Sequence, residues 1–598
     1  MAIGKDLIFN FVCSGSTAGS WNKKREGLSI FQLLNKCSSV VGTQFLKKIL
    51  RCPSGTKDVI ERRQRDVSFY FNNANTEFCI SLSQSLKKIK NVSRLLKRLS
   101  KNSMTVKDWQ GLSSSITGIV EVATMADTCS AQVLTLKNVV ARVSDKMFSL
   151  KTLIDKVINV KQSVAEGVLI INPGINKVLD KKRRLREGIP DLLYSVAVDE
   201  SFQLPPGVTS HKVNYLAHIG FFLSIPRDNG DHLICNNLPG FQHLFDDKKG
   251  HNYKTLATKH LDATIGDFQA EITKMEGYII SQLTEAILEE RGPLDHMIIS
   301  IAQLDCLLAI GKVCRSLNWV KPAVTTDGDI VIKGGRHPLQ EQTVSSFIPN
   351  DTNMKTNGGK VQVITGPNSS GKSIYLKQVG LIVYLAQVGC FVPADSASVP
   401  ILSKIYTRIH TTESVSLGMS AFMCDVNQLA TALNVVNPKT LLLVDEFGKG
   451  TSSSDGAALL AATVQTLTDK HESAPFSIFS THFHCVQSMI KSSIQPTYLH
   501  MKTDKTGSRI VYYFKLTDGL SRFSHATSVA RKVGIDKEVV KRANHIVSAI
   551  VNKTKVEPNV ALLNGKLIMD TISAVLDLDL NDKKKVAKLM QTINELKM

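Results

Sequence analysis

The stretch VITGPNSSGKSIYLKQVG, residues 363–380, limits what this chain can fold into more than any other. An apolar run ends in a glycine-rich turn, the turn ends in Gly-Lys-Ser, and a helical pattern comes next. Gly366-x-x-x-x-Gly371-Lys372-Ser373 fits the phosphate-loop pattern. The glycines let the backbone turn its N–H groups inward, and the helix after the loop adds the positive end of its dipole. In that geometry Lys372 reaches the outer phosphates of a nucleotide and Ser373 ligates Mg²⁺. From about Ala323 onward, apolar strands such as KTLLLV and FSIFS alternate with helical stretches, which is the pattern of a mostly parallel α/β sheet.

An ATPase also needs an acidic pair after an apolar strand, and LLLVDEFGKGTSSSDG supplies it. Asp445 would hold the metal, through water or Ser373, and Glu446 would polarise the attacking water. A third strand, FSIFSTH, ends at His482, a position suited to sensing the γ-phosphate; a capping or core histidine is the plainer alternative. In SLGMSAFMCDVNQLA, Ser420 comes after a glycine-containing turn and precedes a helix, so its hydroxyl can meet a phosphate. Its place between the loop and the acidic pair matches the signature element of ABC-type ATPases, which completes the site of a partner chain.

The rest of the chain sets the setting for this site. Its 598 residues are too many for one core and predict three or more domains. A formal charge of +21 favours a polyanionic partner, with nucleic acid the commonest. The 11 cysteines form no Cys-x-x-Cys pair and read as reduced thiols of the cytosol or nucleus. No apolar run reads as a membrane span or signal peptide. Residues from about 29 to 184 read as helices. Ser81–Lys107 carries Lys87, Lys88, Lys90, Arg94, Lys97, Arg98, Lys101 and Lys107 opposite Leu82, Leu86, Ile89, Leu96 and Leu99, an amphipathic helix with a basic face. After the basic cluster DKKRRLREG, Pro190 and several further prolines predict a break into a small mixed insert. Leu261, Ile265, Phe268, Ile272, Met275 and Ile279 step by 4, 3, 4, 3, 4, a heptad seam on one helix ending near Pro293. After Gly519, two helical patterns flank Gly534, either a DNA reader or a dimerisation element.

The order TGPNSSGKS, SAFM, DEFGKGTSSSDG, STHF closely resembles the MutS family, and its meiotic eukaryotic branch most of all. GGRHPLQE, FIPNDT, EGLSIFQLLNK, DKKRRLRE and IGFFLSIPR extend the resemblance over about residues 27–550. It implies a multidomain fold: a leader over 1–28 that is a possible connector remnant, a helical core and lever over 29–189, a clamp insert over 190–255 and returning lever helices over 256–322. An α/β P-loop ATPase of ABC type would come next over 323–518, then a helix-turn-helix for dimerisation over 519–551 and a basic extension over 552–598. It further implies ATP and Mg²⁺ as cofactors. Phe347 and Phe514 would face adenine. Gly366, Pro367, Asn368, Ser369, Ser370, Gly371, Lys372 and Ser373 would wrap the phosphates, with Ser373 and Asp445 at the metal, Glu446 and His482 at the chemistry, and Ser420 acting in trans. The implied activity is a DNA-dependent ATPase that clamps double-stranded and branched DNA in meiotic crossing over. It would pair with a second MutS-family chain of the homologue-four type, on chromosomes in the nucleus. The chain starts too late to hold the Phe-x-Glu wedge of mismatch readers. A scaffold that binds ATP with little hydrolysis, and a general mismatch-repair factor, are the alternatives. Asp425 stands where the family has glutamate and Ala421 where it has threonine.

Overall fold

The computed structural model describes residues 2–3 and most of 29–556, apart from 205–207, 209, 218, 228–239, 248–249, 410–419, 492–493, 507–508, 522–525 and 553, together with a few positions between 573 and 591. Most of the expected leader and of the C-terminal extension lies outside the described residues.

The first half is helical and is organised around one long apolar helix, Arg291–Ser316, packed against Val40–Arg51 and Lys57–Phe71. This helix is long and apolar enough to cross a membrane by length and composition, a property the sequence reading missed; 83% of its most apolar window is buried inside the molecule, as a core helix requires. Its one buried carboxylate, Asp305, accepts from Ser38 N at 2.9 Å, Ser39 N at 2.8 Å and Ser39 Oγ at 2.6 Å. Desolvation raises its pKa against the pull of these donors. Gly42 closes on the same carboxylate so tightly that a Cβ there would lie 2.2 Å from Oδ2. Gly42→Ala is therefore expected to destabilise the fold by about 1–3 kcal/mol through overpacking. A denaturant melt reads this directly, and an unchanged midpoint would show that the helices can separate at no cost.

Four sequence expectations are corrected here. The basic stretch divides among three helices, Thr76–Lys87, Val92–Leu99 and the start of Val106–Cys129, which holds Lys107, with Asn91 capping the second by accepting from Arg94 N at 3.1 Å. All five apolar positions named for it are buried. Its basic face is partly engaged by acids from the third helix, Val106–Cys129: Lys88 pairs with Glu121 at 2.5 Å and Arg98 with Asp108 at 2.8 Å. Pro190 does not end a helix. Lys177–Ser201 runs through it, so the insert's strands occupy 212–254 instead of starting at 190. That helix lies beside Phe268–Glu289, where Arg183 pairs with Glu276 at 2.8 Å and Lys182 with Glu271. The heptad seam is not on one helix. Leu256–Ile265 stops at Gly266, whose φ of +69° breaks the spiral, and Asp267 caps the next helix by accepting from Ala270 N at 3.0 Å. Pro293 lies in the first turn of Arg291–Ser316, where a missing N–H costs nothing.

The insert is an antiparallel sheet in the order Lys212–Leu216, Gly220–Pro226, Gly250–Lys254, Gln242–Asp246. The second half holds the main sheet. Strands Lys404–Arg408, Thr440–Asp445, Phe476–Thr481, Val361–Thr365 and Thr497–Thr506 are parallel neighbours in that order, and Arg509–Asp518 adds antiparallel at the far edge. Every residue of Val361–Thr365, Thr440–Asp445 and Phe476–Thr481 is buried, as central strands covered on both faces must be. A smaller four-stranded sheet of Ala323–Thr325, Ser396–Pro400, Ile330–Gly335 and Asn350–Met354 packs beside it. The helices Ala526–Val533 and Lys537–Val551 flank Gly534. The two halves share one hydrophobic core. Lys372–Val388, the helix after the glycine-rich loop, ends against the helical half, where Arg63 Nη1 donates to Val388 O at 2.8 Å and Tyr384 Oη donates to Leu50 O.

Candidate functional site

Parallel strands of an open sheet place their loops together at their carboxyl ends. Thr365, Asp445 and Thr481 all end there, with Asp445 paired to Ser480 and Thr481 to Thr365. The His482 strand thus lies between the glycine-rich loop and the acidic pair. In the loop, Gly366 and Gly371 have φ of +153° and +102°, and Ser369 holds +61°, a left-handed conformation that costs a non-glycine residue energy. Pro367 and Ser370 are buried, and Ser370 Oγ donates to Pro367 O at 2.8 Å. Asn368 and Ser369 are exposed, and Ser373 is half-buried in the first turn of the helix.

Lys372 is only 4% exposed. Its Nζ donates to Gly366 O at 2.8 Å and Pro367 O at 3.0 Å, and lies 3.4 Å from His482 Nε2. Burial lowers its pKa to about 8, against the opposing pull of Glu446 and Asp445. Phosphate prefers the ammonium form, and the free protein loses that form as pH rises through about 8. Nucleotide affinity is therefore expected to be flat below that pH and to weaken above it by up to about tenfold per unit. Equilibrium titrations at several pH values check this, and Lys372→Met should remove the slope.

Asp445 is buried and accepts from Ser480 Oγ, which fixes one carboxylate oxygen. Glu446 has φ of +52°, and its N–H donates to Ser480 O at 3.0 Å. Its Oε1 accepts from His482 Nε2 at 2.7 Å and its Oε2 from Lys449 Nζ. The His482 hydrogen bond first, then Lys449, lowers the carboxyl pKa to about 2 in spite of burial. With the Nε2 proton directed at Glu446, His482 cannot also accept from Lys372, so those two groups are neighbours without a bond. A cleft of about 150 Å³ opens between Glu446, Lys449, Thr451, Ser453, His482 and Phe483.

A second cavity of about 190 Å³ borders the last glycine of the loop and is lined by Phe347, Ile348, Gly371, Ile374, Tyr375 and Phe514. Phe514 sits in a bulge of the edge strand with φ of +52°, and its ring stacks on Tyr512 at 6.1 Å. Asn350 holds the bulge: its Nδ2 donates to Phe514 O at 2.9 Å and its Oδ1 accepts from Leu516 N at 2.7 Å. Ser420 lines neither cavity. It is exposed and caps Ala421–Val435, accepting from Met423 N at 3.2 Å.

Sequence reasoning missed three residues here. Asn350 was visible only as part of FIPNDT, and its role depends on a bulge 164 residues away. Lys449 stood in DEFGKGT without a partner. Arg408 carries no local signal, because it ends the mixed strand KIYTR beside other polar residues. It joins Asp425 and the Asp445 carbonyl, so Asp425's shorter side chain does find a buried partner.

Comparison with known proteins finds two domains of one family on this chain. Residues 12–310 match the family domain described as MutS domain III, and residues 362–551 match MutS domain V. "MutS protein homolog 5" of Caenorhabditis elegans is 29% identical over 567 residues, covering 93% of this chain and 41% of the relative. "DNA mismatch repair protein MutS" of Methanococcoides burtonii is 29% identical over 548 residues, 89% of this chain and 60% of the relative. The protein of the same description from Christiangramia forsetii is 27% identical over 595 residues, 95% and 66%. The chain thus spans 41% to 66% of the length of these three relatives.

Proposed function

We infer that this chain, which belongs to the MutS family, is an ATP-operated clamp on DNA that acts on branched recombination intermediates and promotes meiotic crossing over. The observation that carries the reading is the meeting of Lys372, Ser373, Asp445, Glu446 and His482 at the carboxyl ends of three buried strands, beside a cavity lined by two phenylalanines. Adenine fits between Phe347 and Phe514, and the loop backbone from Gly366 to Ser373 receives the phosphates. Ser373 and a fixed, buried Asp445 are a hard oxygen pair of the kind Mg²⁺ takes, and the ion would neutralise charge on the outer phosphates. Lys372 leaves its two carbonyls for the phosphates. Glu446 accepts the proton of a water whose oxygen bonds to the γ-phosphorus as the bond to the β–γ bridging oxygen breaks, and ADP keeps that electron pair. His482 moves between Glu446 and the γ-phosphate.

The net charge of +21 and the basic helices around Lys87–Lys107 supply phosphate-backbone contacts, so DNA binding should fall steeply with salt. Pairing with a second MutS-family chain, of the homologue-four type, would bring Ser420 to the partner's nucleotide, on chromosomes in the nucleus. One observation favours a second reading, a scaffold that binds ATP but rarely hydrolyses it: both oxygens of Glu446 are already occupied, by His482 and Lys449. Competition at fixed salt among a four-way junction, a mismatched duplex and a perfect duplex, with and without ATP, tests the substrate. Junction preference modulated by ATP is expected. Mismatch preference would move the chain to repair, in line with the description of its relatives.

A further inference from the structure

One buried cation joins the helix that starts after Ser420 to the end of the acidic strand. Arg408 is 7% exposed and Asp425 3%. Arg408 Nε donates to Asp425 Oδ1 at 3.2 Å and Nη2 donates to Oδ2, fork to fork, while Nη1 donates to the backbone carbonyl of Asp445. A planar guanidinium can make these three bonds together, and an ammonium cannot reproduce the geometry. Asp425 lies on Ala421–Val435, the helix that Ser420 caps. The Asp445 carbonyl belongs to the peptide group that continues into Glu446, which holds φ of +52° and whose N–H donates to Ser480 O. The same helix touches the acidic segment a second time, where a Cβ on Gly450 would lie 3.0 Å from Phe422 Cβ.

We propose that Arg408 and Asp425 are a positioning pair that couples the state of the second subunit's nucleotide, felt at Ser420, to the aim of Glu446 in this chain's own site. The coupling rests on the two-chain ATPase reading and adds a regulatory device to it. A shift of the helix when Ser420 meets a phosphate moves Asp425. The buried fork leaves no room for slack, because neither charge can turn to water instead. Arg408 moves with it, and the Asp445–Glu446 peptide group tilts in turn. The hydrolytic carboxylate is thereby set or withdrawn according to what the partner holds.

The test uses the two-chain complex on DNA, with the partner either intact or made unable to bind nucleotide by replacing its own phosphate-loop lysine. Single-turnover hydrolysis by this chain is measured in each. With the native chain, the nucleotide-blind partner should slow hydrolysis by at least about fivefold, within the range of ordinary coupling. Arg408→Lys and Asp425→Asn should reduce that dependence to under about twofold while ATP affinity stays within about twofold. Asp425→Glu, which restores the carboxylate, should keep the dependence. Asp425→Asn carries the test if Arg408→Lys folds poorly. Full dependence retained in folded variants overturns the coupling. So does a native complex that hydrolyses ATP without regard to its partner, and that result leaves the ATPase reading standing. A native complex that neither binds nor hydrolyses ATP overturns the ATPase reading itself, and the coupling with it.

Discussion

Glu446→Gln is expected to slow ATP hydrolysis by about 10²–10³-fold while nucleotide still binds, because it removes a general base and keeps the shape. The carboxyl is ionised at any working pH, since His482 and then Lys449 hold it near a pKa of about 2. The same depression stabilises the fold above the ordinary carboxylate range, and that contribution is lost progressively as pH falls from that range through about 2. Both carboxylate oxygens are bonded, Oε1 by His482 at 2.7 Å and Oε2 by Lys449. Arrival of a γ-phosphate gives His482 and Lys372 a stronger anion to meet, and the freed oxygen can then accept a water's proton. Quenched-flow hydrolysis beside equilibrium nucleotide binding separates the two effects. A rate within about threefold of native, less than the smallest ordinary contribution of a general base, would remove Glu446 from the chemistry.

Lys372→Ala is expected to abolish useful nucleotide binding, with a loss of at least about 100-fold in affinity, the usual cost of truncating a buried charge that meets an opposite one. The ammonium donates to Gly366 O and Pro367 O, so the truncation also leaves two loop carbonyls without their donor. Lys372→Met keeps the packed stem and isolates the charge. Both variants should bind nucleotide poorly and leave those two carbonyls without a donor, and the alanine variant, which also loses the packed stem, should lose more thermal stability than the methionine variant. Native affinity in either would place the phosphates somewhere other than this loop.

The strands and turns that place the candidate site residues were more legible than the helical arm, and the reason is range. The loop, the acidic pair and His482 are local: each sits at the end of a short, largely apolar and wholly buried strand, and the pattern predicts both the strand and the turn at its carboxyl end. The helical half depends on breaks that compete with an otherwise continuous pattern. The heptad spacing from Leu261 to Ile279 is genuine, yet Gly266 takes a left-handed turn inside it and divides it between two helices. Pro190 reads as a stop, but the helix Lys177–Ser201 absorbs it. The basic run after Ser81 contains no acid of its own, and its partners Asp108 and Glu121 come from the next helix. Asn350 and Arg408 were hidden for a related reason. Each acts on a segment distant in sequence, one on a bulge and one on a carbonyl, and no local spacing encodes either.

The most direct test of a nucleotide-operated clamp is the lifetime of the two-chain complex on a four-way junction with blocked ends, measured with and without MgATP. ATP is expected to change the lifetime of the native complex, Glu446→Gln to hold it at the ATP-bound value, and Lys372→Ala to hold it at the ATP-free value. Identical lifetimes in all three, with and without ATP, would contradict the clamp, because a site that binds nucleotide without altering its grip on DNA does not operate one.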